Sequence, residues 1–219
     1  MELKLDAYTK DIGGNRVLDN VSMVLTEGKI YGLQGKNGCG KTMLMRAMCG
    51  LIRPSSGKVL YNGDVLGRDI DILPSVGALI ENPAFIADKT GLDNLKMLAS
   101  LMENCSLEDI KTVLKTVGLE PEDKRVYQKY SLGMRQRLGI AGALLGEPEV
   151  IILDEPINAL DVDGVKEIRS ALLSLKQSHI IVVACHDREE MYSLADEIYN
   201  MENGAIIGKE YPNEEGNLV

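Results

Sequence analysis

The sequence contains no tryptophan, one phenylalanine and two histidines among its 219 residues. We therefore expect its core to rest on Leu, Ile, Val and Met. No apolar run approaches the ~18 residues that a membrane-spanning helix needs, and the opening MELKLDAY lacks the basic-then-apolar layout of a signal peptide. We therefore expect a cytoplasmic protein without direct membrane insertion, for which any role at a membrane depends on a partner.

The sequence also has no excess of positive charge: its formal net charge is −9. This argues against a protein that follows nucleic-acid phosphates and against direct adhesion to an anionic membrane surface. The four cysteines, at positions 39, 49, 105 and 185, form no CxxC pair and lie near no histidine cluster. Neither a zinc site nor a disulfide framework is expected, and for Cys39 we favour a small, fitting side chain over a redox switch.

The two ends of the chain have the patterns of an α/β protein. Alternating apolar residues at 3–7 and 21–25, around the turn Gly13-Gly14-Asn15, predict an antiparallel start. A short buried strand at 29–34 leads into a glycine-rich loop and a helix. Beyond residue 147 we expect a strand at 150–153, a helix at 163–176, a strand at 180–184, a hairpin over 198–207 and a polar tail from 208 to 219.

The middle of the chain, about 82–146, has a helical pattern instead. Thr90 with Asp93, and Ser106 with Asp109, have the spacing of helix N-terminal caps. The apolar stripe between them at 92, 95, 98 and 102 is more typical of core than of a binding face. We therefore expect a helical insertion within an α/β protein.

The glycine-rich loop has the spacing of a P-loop, G-x-x-x-x-G-K-[ST], between a strand and a helix. Glycines let backbone N–H groups converge on phosphate oxygens, and the helix N-terminus favours negative charge. Lys41 is expected to reach the β- and γ-phosphates and Thr42 to ligate Mg²⁺, whereas a glycine-rich turn with an incidental lysine is the disfavoured alternative. The predicted nucleotide-binding residues of the loop are Gly35, Lys36, Asn37, Gly38, Cys39, Gly40, Lys41 and Thr42.

A second candidate site element is the pair Asp154-Glu155, which follows four apolar residues. This places Asp154 at the carboxyl end of a buried strand, where α/β sheets bind ligands. Asp154 suits the Mg²⁺ shell, and Glu155 can polarise a water that attacks the γ-phosphate. A solvated acidic turn is the alternative, and the P-loop upstream makes the catalytic interpretation the favoured one.

The stretch YSLGMRQR at 130–137 resembles the signature of ABC-type transporter ATPases, Leu-Ser-Gly-Gly-Gln followed by Gln-Arg. Ser131 and Gly133 are retained, whereas Leu132 and Met134 replace the usual Gly and Gln. Ala159-Leu160-Asp161 is similar to the family's D-loop, and His186 matches its switch histidine, which contacts the γ-phosphate. A histidine at a strand end is otherwise more often structural. The resemblance runs from residue 3 to residue 207.

The resemblance implies a P-loop NTPase core (a RecA-like mixed sheet) with an N-terminal antiparallel β subdomain and a helical insertion subdomain. The core would comprise about 1–81 and 147–207, and the helical subdomain about 82–146. It implies ATP and Mg²⁺ as cofactors and catalytic roles for Lys41, Glu155 and His186. It further implies a head-to-tail dimer, of identical or closely related ATPases, in which Ser131 and Gly133 of one protomer complete the nucleotide site of the other.

The same resemblance implies an integral membrane permease as partner, and a location at the inner face of the cell membrane. The string SVGALIENPAFIADKTGLDNL is similar to the bacitracin-resistance and lantibiotic self-protection branch. A peptide antibiotic is therefore the expected cargo.

Two further positions depart from the family pattern. Ile12 occupies the place of the aromatic residue that stacks on adenine, so we expect weaker and less adenine-selective binding, unless Tyr8 substitutes for it. Glu81 occupies the place of a glutamine that senses Mg²⁺, water and γ-phosphate; a carboxylate can ligate Mg²⁺ but repels phosphate. An exposed loop acid is the alternative interpretation of Glu81.

Two rival functions remain from sequence. A P-loop kinase for a small metabolite would lack the signature stretch and Asp161. A non-transport ABC protein acting in translation normally has two ATPase halves and a basic linker, which this acidic chain does not show. A neighbouring reading frame with about six membrane spans would favour the transporter.

Overall fold

The computed structural model describes residues 1–103 and 105–212, which form two sheets and six α-helices. The strands are β1 (Glu2–Ile12), β2 (Asn15–Thr26), β3 (Lys29–Gln34), β4 (Ser56–Tyr61), β5 (Asp64–Val65), β6 (Val76–Leu79), β7 (Val150–Asp154), β8 (Ile180–Ala184), β9 (Glu197–Glu202) and β10 (Ala205–Glu210). The helices are α1 (Lys41–Met48), α2 (Gly91–Ala99), α3 (Leu107–Thr116), α4 (Leu132–Leu144), α5 (Val162–Leu175) and α6 (Arg188–Leu194).

The smaller sheet has the strand order β2-β1-β4-β5 and is antiparallel throughout. Its β1–β2 hairpin turns at Gly13 and Gly14, which both have positive φ, so the predicted antiparallel start is confirmed. Strands β4 and β5 were not predicted. They are short and mostly exposed, and therefore lack a strong alternating pattern.

The larger sheet has the order β10-β9-β3-β8-β7-β6, with β9, β3, β8, β7 and β6 mutually parallel. Every residue of β7 and β8 is buried, which explains their unbroken Val and Ile runs. The parallel register brings the carboxyl ends of β3, β7 and β8 to one edge of the sheet. The loop after β3, the last residue of β7 and the residues after β8 consequently meet there.

Three helices, α2 to α4, follow β6 and pack around one apolar cluster, so the predicted helical insertion and fold class are confirmed. Thr90 and Ser106 cap α2 and α3 as expected, by accepting hydrogen bonds from Asp93 N and Asp109 N. Of the predicted apolar stripe, Leu95 is fully buried, whereas Met102 lies beyond the end of α2 and is 39% exposed. The subdomain boundaries themselves stay a prediction.

The C-terminal hairpin corrects one prediction, because β10 continues to Glu210 rather than ending at residue 207. Lys209 holds the extension in place: its Nζ lies 2.5 Å from the buried carboxylate of Glu197, which also pairs with Lys29. The sequence did not reveal this cluster because Lys29 lies 168 positions from Glu197 and because Lys209 lies in the part of β10 that was not predicted. The remainder of the predicted polar tail, 213–219, lies outside the described residues. Within the described part of the chain, no helix is long and apolar enough to cross a membrane.

The contact of α4 with β6 depends on a glycine. A Cβ atom at Gly77 would lie 1.7 Å from the carbonyl oxygen of Ala143, so Gly77 permits the close approach of helix and strand. We expect Gly77→Ala to lower the free energy of unfolding by about 1–3 kcal/mol, as overpacking does. Urea denaturation at fixed pH measures this.

Gly142→Ala is the matched control on the same helix, at a position that faces α2 and Phe85 rather than β6. There the new methyl group would lie 3.4 Å from Phe85, an ordinary contact. Removing a glycine from a helix interior should then leave stability unchanged or raise it by about 0.4–1 kcal/mol. Equal effects of the two substitutions would contradict the close-approach explanation.

Candidate functional site

The glycine-rich loop connects β3 to α1, and Gly40 is the N-cap residue of that helix with φ of 111°. A Cβ at Gly40 would lie 3.1 Å from the carbonyl oxygen of Val17, whereas one at Gly38 would meet nothing within 4 Å. Gly40 is therefore required by backbone packing, and Gly38, also at positive φ, by conformation. The first turn of α1 carries no acidic residue, so its N–H groups face the loop without a competing anion.

Lys41 lies over this loop. Its side chain is buried, and Nζ donates a hydrogen bond to the carbonyl oxygen of Gly35 at 2.7 Å. The ammonium group is thus held at the loop rather than in solvent. This is the position from which a lysine can contact an anion bound by the loop.

Thr42 and Asp154 form the link between the loop and β7. Thr42 Oγ1 donates to Asp154 Oδ2 at 2.7 Å, across 112 positions of sequence. Asp154 is 8% exposed, and its burial raises the pKa of its carboxyl group; the neighbouring charge of Glu155 acts in the same direction. A carboxylate kept in this position costs stability unless a cation compensates it.

Glu155 and His186 form a second pair. Glu155 Oε2 lies 2.7 Å from His186 Nδ1, and the Glu155 backbone has φ of 50°, which is unusual for a residue other than glycine. The Glu155 N–H donates to the carbonyl oxygen of Ala184 at the end of β8. The turn after β7 is thereby tied to the neighbouring strand, and the carboxylate is aimed at the histidine.

These elements enclose an open cleft of about 440 Å³. Predicted residues that line it are Asn37, Gly38, Gly40, Lys41, Thr42, Glu81, Asp154 and Glu155. Four further lining residues were missed by sequence reasoning, namely Met43, Asn82, Gln136 and Asn158. Gln136 lies within the signature stretch but was given no role, and the other three lie within three residues of a predicted site residue, so extending each motif by one helical turn would have included them.

Other predicted residues lie outside this lining. Gly35, Lys36 and Cys39 line a second concavity, between the loop and the β9–β10 hairpin. Ile12, at the end of β1, is 46% exposed. Tyr8 corrects an alternative: it is fully buried and donates to the carbonyl oxygen of Ile52, so its ring is not available to stack on adenine.

Glu81 has a partner that the sequence did not indicate. Its Oε1 accepts a hydrogen bond from Arg46 at 2.9 Å, and its φ of 65° places it in the left-handed region. Arg46 lies one turn of α1 after Thr42, which puts both side chains on the same face of the helix. Glu81 therefore lines the cleft as one half of an exposed ion pair.

The signature stretch begins α4. Ser131 is the N-cap residue, and its hydroxyl accepts a hydrogen bond from Met134 N at 3.2 Å. A Cβ at Gly133 would lie 3.0 Å from the carbonyl oxygen of Ala159, so α4 starts against the segment that follows β7. Neither Ser131 nor Gly133 lines the 440 Å³ cleft of its own chain.

The donors at the cleft fit a magnesium nucleotide. In the part of the chain that the structure describes, no group of three or more His, Cys, Asp or Glu side chains could hold a metal ion by itself. Mg²⁺ is usually bound in proteins by one or two carboxylates together with substrate phosphates and water. Thr42 and Asp154 supply such a partial set beside a loop that can bind phosphate.

The buried charge of Asp154 generates a prediction about stability. We expect Asp154→Asn, measured without nucleotide or metal at pH 7, to raise the free energy of unfolding by roughly 0.5–2 kcal/mol. Asparagine keeps an oxygen that can accept from Thr42 and removes the charge that burial disfavours.

The pH dependence follows from the sign of the shift. The folded-state pKa of Asp154 is raised, so the charge penalty is fully present above that pKa and disappears as pH falls below the unfolded-state value. The difference in the free energy of unfolding between Asp154→Asn and the wild type should therefore decrease as the pH falls. Asp71→Asn, at a carboxylate that is 95% exposed, is the control and should be neutral. A variant less stable than wild type at pH 7 would contradict the assigned penalty.

The chain is similar in sequence to known transport ATP-binding proteins and in fold to a solved ABC transporter cassette. The chain is 41% identical over 208 residues to the bacitracin transport ATP-binding protein BcrA of Enterococcus faecalis, which covers 94% of this chain and 68% of that protein. It is 37% identical over 215 residues to the lantibiotic transport ATP-binding protein SrtF of Streptococcus pyogenes, covering 97% and 93%. The dimeric structure of MJ0796, a bacterial ABC transporter cassette, has the same fold, with a TM-score of 0.88, 23% identity and coverage of 96% and 99%.

The sequence profile described as ABC transporter matches residues 18–158, which include the loop, Glu81, the signature stretch and both carboxylates. This match and the two relatives agree on one family. The chain therefore belongs to the ABC transporter family, in which it is an ATP-binding subunit with ATPase activity.

Proposed function

We propose that this subunit powers the export of a peptide antibiotic through a separate membrane permease. The observation that carries the proposal is the similarity, over more than nine-tenths of the chain, to proteins whose names state bacitracin and lantibiotic transport. ATPase chemistry alone does not select a cargo, because the cargo contacts the permease. The branch of the family, rather than the site, therefore supports this choice.

Within the site we propose a division of roles. The loop from Gly35 to Thr42 binds the triphosphate of ATP, with Lys41 compensating its charge. Thr42 and Asp154 hold Mg²⁺, which when bound neutralises charge on the phosphates. Glu155 accepts the proton of the attacking water, and His186 orients that carboxylate through its Nδ1 contact.

Glu81 and Ile12 are the two site positions near metal and base that depart from the family pattern, and we propose a role for each. Glu81 is proposed as a further oxygen ligand near Mg²⁺, which requires it to leave Arg46. Ile12 is proposed to contact adenine as an apolar side chain in place of an aromatic ring. Weaker binding of the adenine base is the expected consequence.

We further propose that two ATPase subunits, identical or closely related, sandwich the nucleotide. The supporting observation is that Ser131 and Gly133 lie outside the cleft of their own chain, at the start of a helix whose first residue, Leu132, is 67% exposed. A helix N-terminus with an exposed hydroxyl is suited to a phosphate presented by another molecule. The solved cassette of the same fold is described as dimeric.

The permease is proposed to dock on the helical segment, at the inner face of the cell membrane. This segment exposes several large apolar side chains, among them Ile86 (42%), Met97 (48%) and Leu101 (84%). A permease docked on this segment would cover these side chains. Because the net charge is −9, such docking would depend on specific contacts rather than on attraction to anionic lipid.

The sandwich is tested with Glu155→Gln. Loss of the base should reduce hydrolysis by at least ~100-fold while ATP still binds, so an ATP-dependent dimer should accumulate. Light scattering with and without ATP and Mg²⁺ measures this. A variant that remained monomeric and hydrolysed ATP normally would refute both the base and the sandwich.

Combining Glu155→Gln with Ser131→Asp should abolish that dimer. Aspartate can still cap α4, yet it places a negative charge where the partner's phosphate is expected. Ser178→Asp is the control, since it adds the same charge before β8, at the opposite end of the sheet. A dimer that survives Ser131→Asp would place the interface elsewhere.

The cargo is tested by producing the chain with the membrane protein encoded beside it in a sensitive bacterial host. We expect the minimal inhibitory concentration of bacitracin or of a lantibiotic to rise, and Glu155→Gln to remove the increase. If no membrane protein co-purifies with the chain, the non-transport alternative is favoured instead. A functional complex that protects against neither peptide class would refute the proposed cargo.

A further inference from the structure

The turn at Glu155 is held by hydrogen bonds to both its backbone N–H and its backbone carbonyl. Its N–H donates to Ala184 O at 2.9 Å, and its carbonyl oxygen accepts from the side chain of Gln136 at 2.9 Å and from Asn158 N at 3.2 Å. Its φ of 50° lies in a region that residues other than glycine rarely occupy. Such a conformation persists when surrounding contacts hold it.

Gln136 differs from the other partners in its origin. Ala184 belongs to the neighbouring strand and Asn158 to the same loop, whereas Gln136 is on α4, in the helical segment. Its side chain is half-buried and lines the cleft beside Asp154 and Glu155. Gln136 thus joins the start of α4 to the backbone of the carboxylate residue.

A second contact keeps α4 close to the same loop. Gly133, one turn before Gln136, packs so near the carbonyl oxygen of Ala159 that a Cβ would lie 3.0 Å from it. Ala159 also has positive φ, of 67°. The first turns of α4 therefore contact the loop after β7 at two points, 155 and 159.

Removing the Gln136 amide has a geometric consequence. The Glu155 carbonyl would then keep only the 3.2 Å bond from Asn158 N, within its own loop, so the backbone at 155 can relax towards negative φ, and such a rotation redirects the side chain. The carboxylate would then leave its 2.7 Å contact with His186 Nδ1. The direction of the Glu155 side chain is in this way tied to the placement of α4.

We propose that Gln136 is a positioning residue, whose amide holds the left-handed turn at Glu155 and thereby keeps the Glu155 carboxylate against His186. The proposal rests on the role proposed above for Glu155. It deepens that role, because the helix that begins with Ser131 and Gly133 then sets the orientation of the base.

The test uses the protein with its histidines labelled with ¹⁵N and without nucleotide. The chain has two histidines, so both imidazoles can be followed, with His179 as an internal reference bonded to Leu175 O. Gln136→Met keeps the length of the side chain but removes its donor. We expect the ¹⁵N signals of His186 to move towards those of a free imidazole, whereas those of His179 stay unchanged.

Kinetics supply a second readout on the same variant. The KM for ATP should change less than kcat because the phosphate loop is untouched, whereas kcat should fall by about tenfold or more through misplacement of the base. Gln128→Met is the matched control. It makes the same chemical change at an exposed residue whose side-chain amide has no hydrogen bond among the described residues, and it should alter neither readout.

An unchanged His186 signal together with a normal kcat would overturn the proposal, and so would equal movement of both histidine signals. If Gln136→Met does not fold, Gln136→Leu, which lacks the amide donor and adds no charge beside Asp154 and Glu155, takes its place. If neither variant folds, Gln136 is a core residue and the proposal fails. Since the imidazole signals are measured without ATP, they judge Gln136 even if Glu155→Gln shows that Glu155 is not the base.

Discussion

The site depends on the parallel register of three strands. Leu33 of β3 lies opposite Ala184 of β8, and Ala184 lies opposite Asp154 of β7, so one row of residues crosses the sheet at its carboxyl edge. The phosphate loop, the two carboxylates and His186 all follow this row within a few residues. A shift of one strand by a single residue would turn its side chains to the other face and separate Thr42 from Asp154.

The site also keeps features that oppose stability. Asp154 is a carboxyl group whose pKa is raised by burial, and Glu81, Glu155 and Ala159 have backbone conformations that residues other than glycine rarely adopt. Such features are typical of functional positions, where the surrounding fold supports an unfavourable local arrangement. Here the support comes from fully buried neighbouring strands and from a helix seated closely on β6.

That helix, α4, contacts segments that are far apart in the sequence. It begins at the exposed signature residues, contacts the loop after β7, and runs to a close backbone contact with Gly77. Arg137 extends this network, since its guanidinium donates to the carbonyl oxygen of Val117 and pairs with Glu167 on α5. Close packing of this kind transmits displacement, because densely packed elements move together rather than deform independently.

The sequence by itself determined most of the longer strands and helices, although not β4, β5, β6 or α6, and it indicated the candidate chemistry. The P-loop spacing, the apolar run before Asp154-Glu155 and the capping patterns at Thr90 and Ser106 are local signals, and local signals predict strands, helix starts and residue types. What required the tertiary structure were the pairings: Arg46 with Glu81, Lys209 with Glu197, and Gln136 with the Glu155 carbonyl. The burial of Tyr8, which removes it as an adenine-stacking residue, belongs with them. These pairings and this burial depend on which segments of the chain meet in the folded protein. Motif spacing and hydrophobic periodicity in a single sequence do not predict such contacts.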